Sequence, residues 1–467
     1  MQLPPPLPKP PRAFPYLRVM AAIFGALVLA YSLWRWNLHR EIQGHLAYFK
    51  AAGCPTTPAE LDVYYTPVPA GENAATLLTN AFARLAVADT NNPNLPLIGK
   101  GKLPDRTNGL TSAQAAAVRA CLAENTEALR LMREALQRPQ CRYPINLTNG
   151  WQTRLPHLAR LVSLGRLLEL EAMAATDAPE AIQSITDLLR LEATLKNEPV
   201  GVSLTVRFRL RAIALRATER LLTARPMADA QLADLEGRLS HVWQPDEFSR
   251  AIAEQVSNAR EFYEVKPWQI IPYIDHMGDD AAWNPDTPEK PMDLLGGLLV
   301  EGLAFQSANY LTLVETQAAL YHASQSPTPE RRSKIKAAMS PFPAVQKPRP
   351  SSRSIFWNRN KILAGMLLPS LAEIAPKDTS SLAHLHAAVL GLAIERYRNA
   401  HDGTLPKTLN KLVPDYLAQL PVDPITGEPL RFKRLKTGYA FFRVESVVPE
   451  GEEQRKVDYE YLFVVER

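Results

Sequence analysis

The stretch LPHLARLVSLGRLLELEAMAATDAPEAIQSITDLLRLEATLKNEP, residues Leu155 to Pro199, decides the fold class. Leu155, Leu158, Leu161, Val162, Leu164, Leu168 and Ala172 recur at three to four residues and mark one face of a helix. Thr176, Asp177, Ala178 and Pro179 then make a turn, with proline at the start of a second helix, where its missing N–H costs nothing. Ile182, Ile185, Leu188, Leu189 and Leu195 line the return helix before Pro199 stops it. A hairpin of this kind has an apolar face that needs cover, so further helices are expected to stack on it.

Outward from the hairpin the same texture continues. Amphipathic helices are predicted over Val202 to Thr223, Asp229 to Leu239, Asp246 to Glu264, Met292 to Ser324 and Glu330 to Met339. No repeat period holds across them, so the chain reads as mainly α, an irregular stack of helical hairpins rather than a regular solenoid. The arginines of the Val202 helix, Arg207, Arg209, Arg211, Arg216 and Arg220, are spread around it and predict a solvated face.

Toward the N-terminus, residues 1–16 are rich in proline and predict an extended, disordered tail. Val19 to Leu33 carries no charge and is bracketed by Arg18 and Arg35, with Tyr16, Tyr31, Trp34 and Trp36 at its ends. An arginine at mid-bilayer costs about 2.5 kcal/mol or more, so the two arginines belong at the interfaces and residues 17–36 form a single transmembrane helix. A cleaved signal peptide, with Val28 and Ala30 at the cleavage positions, and a buried soluble helix are the rival readings. Leu38, Ile42, Leu46 and Phe49 extend the helix as an amphipathic stem over residues 37–52, which Gly53 and Pro55 end.

The body then occupies residues 53–339. Within it, residues 266–291 break the helical pattern and hold Asp275, His276, Asp279 and Asp280, the tightest grouping of possible metal ligands. Their spacing matches neither a zinc site nor an EF-hand, and solvated acidic turns are common, so they are weak candidates for metal ligands. Residues 340–380 read as a proline-rich linker and a connecting helix, and residues 381–467 as a small α+β module. That module opens with a helix from Ser381 to Ala400 and closes with strands at Leu430 to Leu435, Tyr439 to Val444 and Tyr459 to Val465, a short antiparallel sheet.

Charge and cysteine usage narrow the setting. A net charge of +5 over 467 residues does not imply nucleic acid. Nine basic residues and no acid lie between Arg331 and Lys361, while Asp275, Asp279, Asp280, Asp286, Glu289 and Asp293 load the stretch before it. The two stretches are expected to lie near each other, with anionic lipid as the alternative contact for the basic one. Of the three cysteines, Cys121 and Cys141 are the pair to consider. A helix from Ser112 to Leu136 would carry Cys121 roughly 22 Å from its end, and five extended residues recover only about 17 Å, so no disulfide is expected.

Two resemblances bear on function. Tyr397-Arg398-Asn399, Gly403, Leu405-Pro406, Leu412-Val413-Pro414, Leu420-Pro421, Asp423-Pro424, Gly427-Glu428-Pro429-Leu430 and Gly438-Tyr439 resemble the globular half of the type II secretion major pseudopilin over about 70 residues. The resemblance implies a helix, a proline-marked loop and a small sheet. The chain departs from that family in having no glutamate inside its apolar helix and about 345 residues between helix and module. The family's calcium loop reads Ser446-Val447-Val448-Pro449-Glu450-Gly451-Glu452 here. Gly53-Cys54-Pro55, Glu60-Leu61, Tyr64-Tyr65 and Glu72-Asn73-Ala74-Ala75 are similar to a pattern in uncharacterised membrane-anchored bacterial proteins. That similarity implies a setting in the bacterial envelope. Lys9, Arg12 and Arg18 before the span are matched by Arg35, Arg40 and Lys50 after it, and a short basic tail is hard to translocate, so the bacterial cytoplasmic membrane with the bulk of the chain outside the cytoplasm is expected.

No GxSxG, HExxH, Walker A or GxGxxG motif occurs, and His384 and His386 are too close in register to share a metal on a helix. The sequence therefore points to no catalytic residue and no cofactor. Its expected partners are a lipid bilayer, through residues 17–36, and other envelope proteins. The expectation is a scaffold or protein-interaction module, with a component of a pilin-like secretion assembly and an extracytoplasmic hydrolase as alternatives.

Overall fold

One helix, α1 (Pro15–Ala51), carries both the apolar run and the amphipathic stretch that follows it. Its two halves meet different surroundings. None of its most apolar 18 residues is buried, whereas Leu38, Ile42, Leu46 and Phe49 all are. The helix begins at Pro15, so Tyr16 belongs to it rather than to the tail. The computed structural model describes residues 15–87, 89–266, 304–342, 361–446 and 458–466.

The chain goes on through α2 (Pro58–Tyr64), α3 (Ala74–Ala83), α4 (Ser112–Glu124) and α5 (Thr126–Ala135). The single helix expected from Ser112 to Leu136 is thus two. Asn125 breaks it: its side-chain nitrogen donates to the carbonyl of Cys121 at 2.8 Å, and its oxygen accepts from Ala86 N at 3.0 Å. A side chain that bonds the local backbone competes with the helix ladder, which is why asparagine suits a break. Cys54, Cys121 and Cys141 are nonetheless all free and buried. The expected lack of a disulfide holds although the straight helix behind the argument does not.

The hairpin follows as α6 (Pro156–Ala174) and α7 (Ala178–Ala193). Asp177 caps α7, accepting from Glu180 N at 2.9 Å, while Glu180 reaches back to Thr176 N at 2.8 Å. Helices α8 (Gly201–Ala224), α9 (Asp229–Ser240), α10 (Glu247–Glu264), α11 (Phe305–Ser324) and α12 (Thr328–Met339) extend the stack.

Helix α13 (Ile362–Ala400) is 39 residues long and starts well before the predicted Ser381. Pro369 and Pro376 lie inside it and read in sequence as breaks, but packing on both sides holds the rod together. Leu367, Leu368, Leu371 and Ile374 belong to a hydrophobic cluster shared with the stem of α1 and with α10 and α11. Leu382, Leu385, Leu390, Leu392 and Ile394 belong to the other large cluster, shared with α3 to α9. Tertiary burial outweighs the local cost of proline. Asp402 and Gly403, both at positive φ, end the helix as their residue types predict.

Strands β1 (Arg431–Arg434), β2 (Gly438–Ser446) and β3 (Asp458–Glu466) form an antiparallel sheet in that order. Phe432 pairs with Phe441, and Phe441 with Phe463. The sheet does not stand apart from the body. Tyr439, Phe441, Phe463 and Val465 share one cluster with the hairpin leucines, and Val464 N donates to Glu219 on α8. The boundary read at residue 381 is therefore a change of sequence texture and not a break in packing.

Candidate functional site

Two of the buried polar groups among the described residues bear on function, and they behave differently. The first corrects the reading of the α8 arginines. Arg207 and Arg211 are 3% and 0% exposed, not solvated. Arg211 Nη2 lies 2.7 Å from Glu192 Oε1 and 3.0 Å from Glu247 Oε1, and Arg207 Nη2 lies 3.0 Å and 3.1 Å from the same two atoms. Burial raises the Glu247 carboxyl above its ordinary range, against the pull of the two arginines. Arg216 pairs with buried Glu169 at 2.9 Å, and Arg220 donates to the carbonyl of Pro104. Arg209 and Arg216 are exposed, as expected for a solvated face. A helix whose arginines are matched by glutamates on packed neighbours buries charge in neutral groups, a pattern that one helix's sequence cannot disclose.

The second group surrounds a cavity of about 430 Å³ between the N-terminus of α8, the middle of α10, α13 and the 3-10 turn Leu147–Gln152. The turn is seated on α10 by Trp151, whose indole N–H donates to the carbonyl of Asn258 at 3.2 Å. Gly150 adopts φ 55° and approaches so closely that a Cβ there would collide with the Glu261 carboxylate. Leu147, Trp151, Leu155, Val200 and Ile374 make the apolar side of the cavity. Glu254, Gln255 and Asn258, from one face of α10, make the polar side.

Glu254 caps α8: Gly201 N donates to its Oε2 at 2.7 Å. Burial pushes the Glu254 carboxyl up to about 7, the Gly201 bond opposes this, and the nearby Glu198 adds to it. Glu198 itself is enclosed behind the cavity wall. His157 Nε2 lies 3.1 Å from both of its oxygens, and Ser203 and Tyr65 donate to it. Tyr143 stacks on the His157 ring with centroids 4.1 Å apart and donates to Thr194 Oγ1 at 2.9 Å. Every polar group of this inner cluster is thus occupied by another, the signature of a buried structural network.

The cavity hydroxyls are occupied as well. Thr153 donates to Asn146 O at 3.1 Å, Thr205 to Gly201 O at 3.2 Å and Ser370 to Leu367 O at 2.8 Å. None is a nucleophile held by the Glu254 carboxyl. Lys377, at the rim, pairs with Glu373 at 3.6 Å. The arrangement can hold a molecule through hydrogen bonds on one side and apolar contact on the other.

The candidate metal residues Asp275, His276, Asp279 and Asp280 lie outside the described residues, as do most of the 266–291 loop and the basic stretch from Lys347 to Arg359. Among the described residues no three His, Cys, Asp or Glu side chains come together as a metal set. Arg331 meets Asp378 at 3.4 Å and Lys334 meets Glu330 at 2.9 Å, so these two basic residues have partners outside the acidic stretch expected for them. His384 and His386 bond separately to the carbonyls of Ser380 and Val422.

No family model, curated protein or solved structure matches the chain. The candidate site rests on its own geometry. Sequence reading passed over Glu254, Gln255 and Asn258, and one signal was present: within α10 these polar residues alternate with Ala251, Ile252, Ala253, Val256 and Ala259, so the helix buries more than one face and carries polar groups inward.

Proposed function

We propose that this chain is a membrane-anchored scaffold of the bacterial envelope, held in the cytoplasmic membrane by residues 17–36 and presenting its helical body to protein partners outside the cytoplasm. The observation that carries the reading is the division of labour along α1. Its apolar half makes no buried contact with the body, and its second half is buried in the body's core. A span joined to a packed stem holds the body in a set attitude at the bilayer, which suits a platform better than a free tether. The occupied hydroxyls of the cavity favour binding over hydrolysis.

Fractionation followed by crosslinking and affinity purification from membranes tests the proposal. The full chain should pellet with membranes, resist high salt, yield to detergent and bring down a reproducible set of envelope proteins. Recovery of the intact chain in the detergent-free supernatant, or capture of nothing beyond the chain itself, would sink it. Capture of secretion-assembly components specifically would favour the pilin-like alternative.

A further inference from the structure

Helix α8 sets Arg209, Ala212 and Arg216 on one stripe, and α13 sets Lys377 and Ser381 on another. The two stripes border a second cavity, of about 490 Å³, beside the one next to Trp151. The helices are tied together beneath it, where Arg211 Nη1 donates to Ser381 Oγ at 3.2 Å. Its walls are apolar in part: Phe208, Leu215 and Leu462 line it and keep 7%, 6% and 5% of their surface open. The space is of small-ligand size.

The charges on the rim decide what fits. Among the described residues Glu219 is the one carboxylate in the lining, and it is taken: Val464 N donates to it and Arg106 lies 3.4 Å away. The cations are held unequally. Arg216 is gripped by both oxygens of Glu169, at 3.1 Å and 2.9 Å. Lys377 shares only an exposed pair with Glu373 at 3.6 Å, a contact that water screens. Arg209 is exposed and makes no hydrogen bond or ion pair among the described residues. The Arg166 guanidinium on α6 lies below its ordinary value, through burial and then through repulsion from Arg209. A solvated arginine alone asks for nothing, but here its long side chain is free to swing over the mouth of a partly apolar cavity. That combination selects a molecule negative at one end and apolar at the other. Arg209 leaves one positive charge unmatched, so a single negative charge is met and a second is not. A carboxylate suits the two-pronged guanidinium.

We propose that this cavity binds a small monocarboxylic acid with an aliphatic or aromatic body, the carboxylate lying against Arg209 with Lys377 at longer range and the body lying between α8 and α13 against Phe208, Leu215 and Leu462. The proposal goes beyond the scaffold reading and does not depend on it.

The test is calorimetric titration of the full chain in an uncharged detergent with 4-phenylbutanoate, corrected for titration into empty micelles. Saturable binding with a Kd of roughly 1 mM is expected. The neutral relative 4-phenylbutanamide, the cationic relative 4-phenylbutylamine and acetate, which lacks the apolar body, should each bind at least about tenfold more weakly. Arg209→Gln should weaken 4-phenylbutanoate about tenfold and Lys377→Gln about threefold. Ala212→Phe, at an exposed position between the two arginines, should weaken it by filling the space. Arg190→Gln, which removes an exposed arginine on α7 outside the cavity, should leave the affinity unchanged. Lack of saturation, an amide that binds as tightly as the carboxylate, unchanged affinity in a folded Arg209→Gln chain, or equal weakening by Arg190→Gln overturns the proposal. If the substituted chains do not fold, the ligand series on the wild-type chain decides alone. Loss of membrane sedimentation or of crosslinked partners strikes the scaffold reading and leaves the titration result standing.

Discussion

Arg211 Nη2 lies 2.7 Å from Glu192 Oε1, and neither side chain reaches solvent appreciably. The two arginines and two glutamates of this network are balanced in charge, so removing one member strands another. Replacement Arg211→Met leaves Glu192 and Glu247 with a single guanidinium between them. Unfolding free energy should fall by about 3–5 kcal/mol, measured by urea denaturation followed by circular dichroism. Adding Glu247→Gln should restore part of the loss, because it removes the uncompensated charge. A single variant as stable as the wild type would mean that the network is hydrated in solution.

Glu254 makes stability depend on pH. Its folded-state value, about 7, lies above its ordinary 4.5, so the folded chain binds the proton more tightly than the unfolded one. The sign follows: the contribution is fully present below about 4.5 and is lost as pH rises through about 7. The loss is at most about 3 kcal/mol. Glu254→Gln should flatten this part of the profile and be the more stable form, relative to wild type, at pH 8 than at pH 5. Melting curves across that range check it, and parallel profiles for the two chains would contradict it.

The unpaired carboxamide oxygen of Asn258 carries a prediction about stability. Asn258→Leu removes a buried polar group whose oxygen has no partner among the described residues, so the melting temperature should hold or rise. Thermal unfolding reads it. A drop of several degrees would show that Asn258 is satisfied within the folded chain.

The two halves of α1 should separate under mutation. Leu27 is exposed, and Leu27→Arg places a charge costing about 2.5–3.5 kcal/mol in mid-span. It should reduce membrane sedimentation and leave the melting temperature of the body unchanged. Ile42 is fully buried, and Ile42→Ala should do the reverse, lowering stability by about 2–4 kcal/mol without releasing the chain from membranes. If both substitutions act on the same property, the division along the helix is wrong.

Thiol reactivity offers a simple check on the core. Burial pushes the Cys54 and Cys141 thiols up to about 12, so neither supplies much thiolate at pH 8. Iodoacetamide should label both slowly in the folded chain, and all three cysteines promptly after denaturation without reductant. Only one labelled cysteine in the denatured chain would reveal a disulfide.

Helix existence was legible wherever apolar residues recur with helical spacing, as in α6, α7 and the stem positions Leu38 to Phe49, because one face of each meets the core. Ends marked by Asp177, Asp402 and Gly403 were legible too, since caps act locally. The break at Asn125 and the continuity of α13 through Pro369 and Pro376 were not, because both depend on neighbours distant in sequence. The same holds for the site. Nothing near Arg211 in the chain announces Glu192 and Glu247, and nothing near Asn258 announces that Gly201, Trp151 and Ile374 will close around it.

The seating of the stem has a consequence for biosynthesis. Ile42 and Phe49 belong to the hydrophobic cluster in which α1 packs chiefly on α11, and Phe305, the first residue of α11, is made 256 residues after Phe49. At about 5–20 residues per second the ribosome needs roughly 13–50 s to supply that helix, and longer to supply α13. Throughout that interval the nascent stem lacks its chief cover, and transiently bare apolar surface of this kind is where folding chains aggregate.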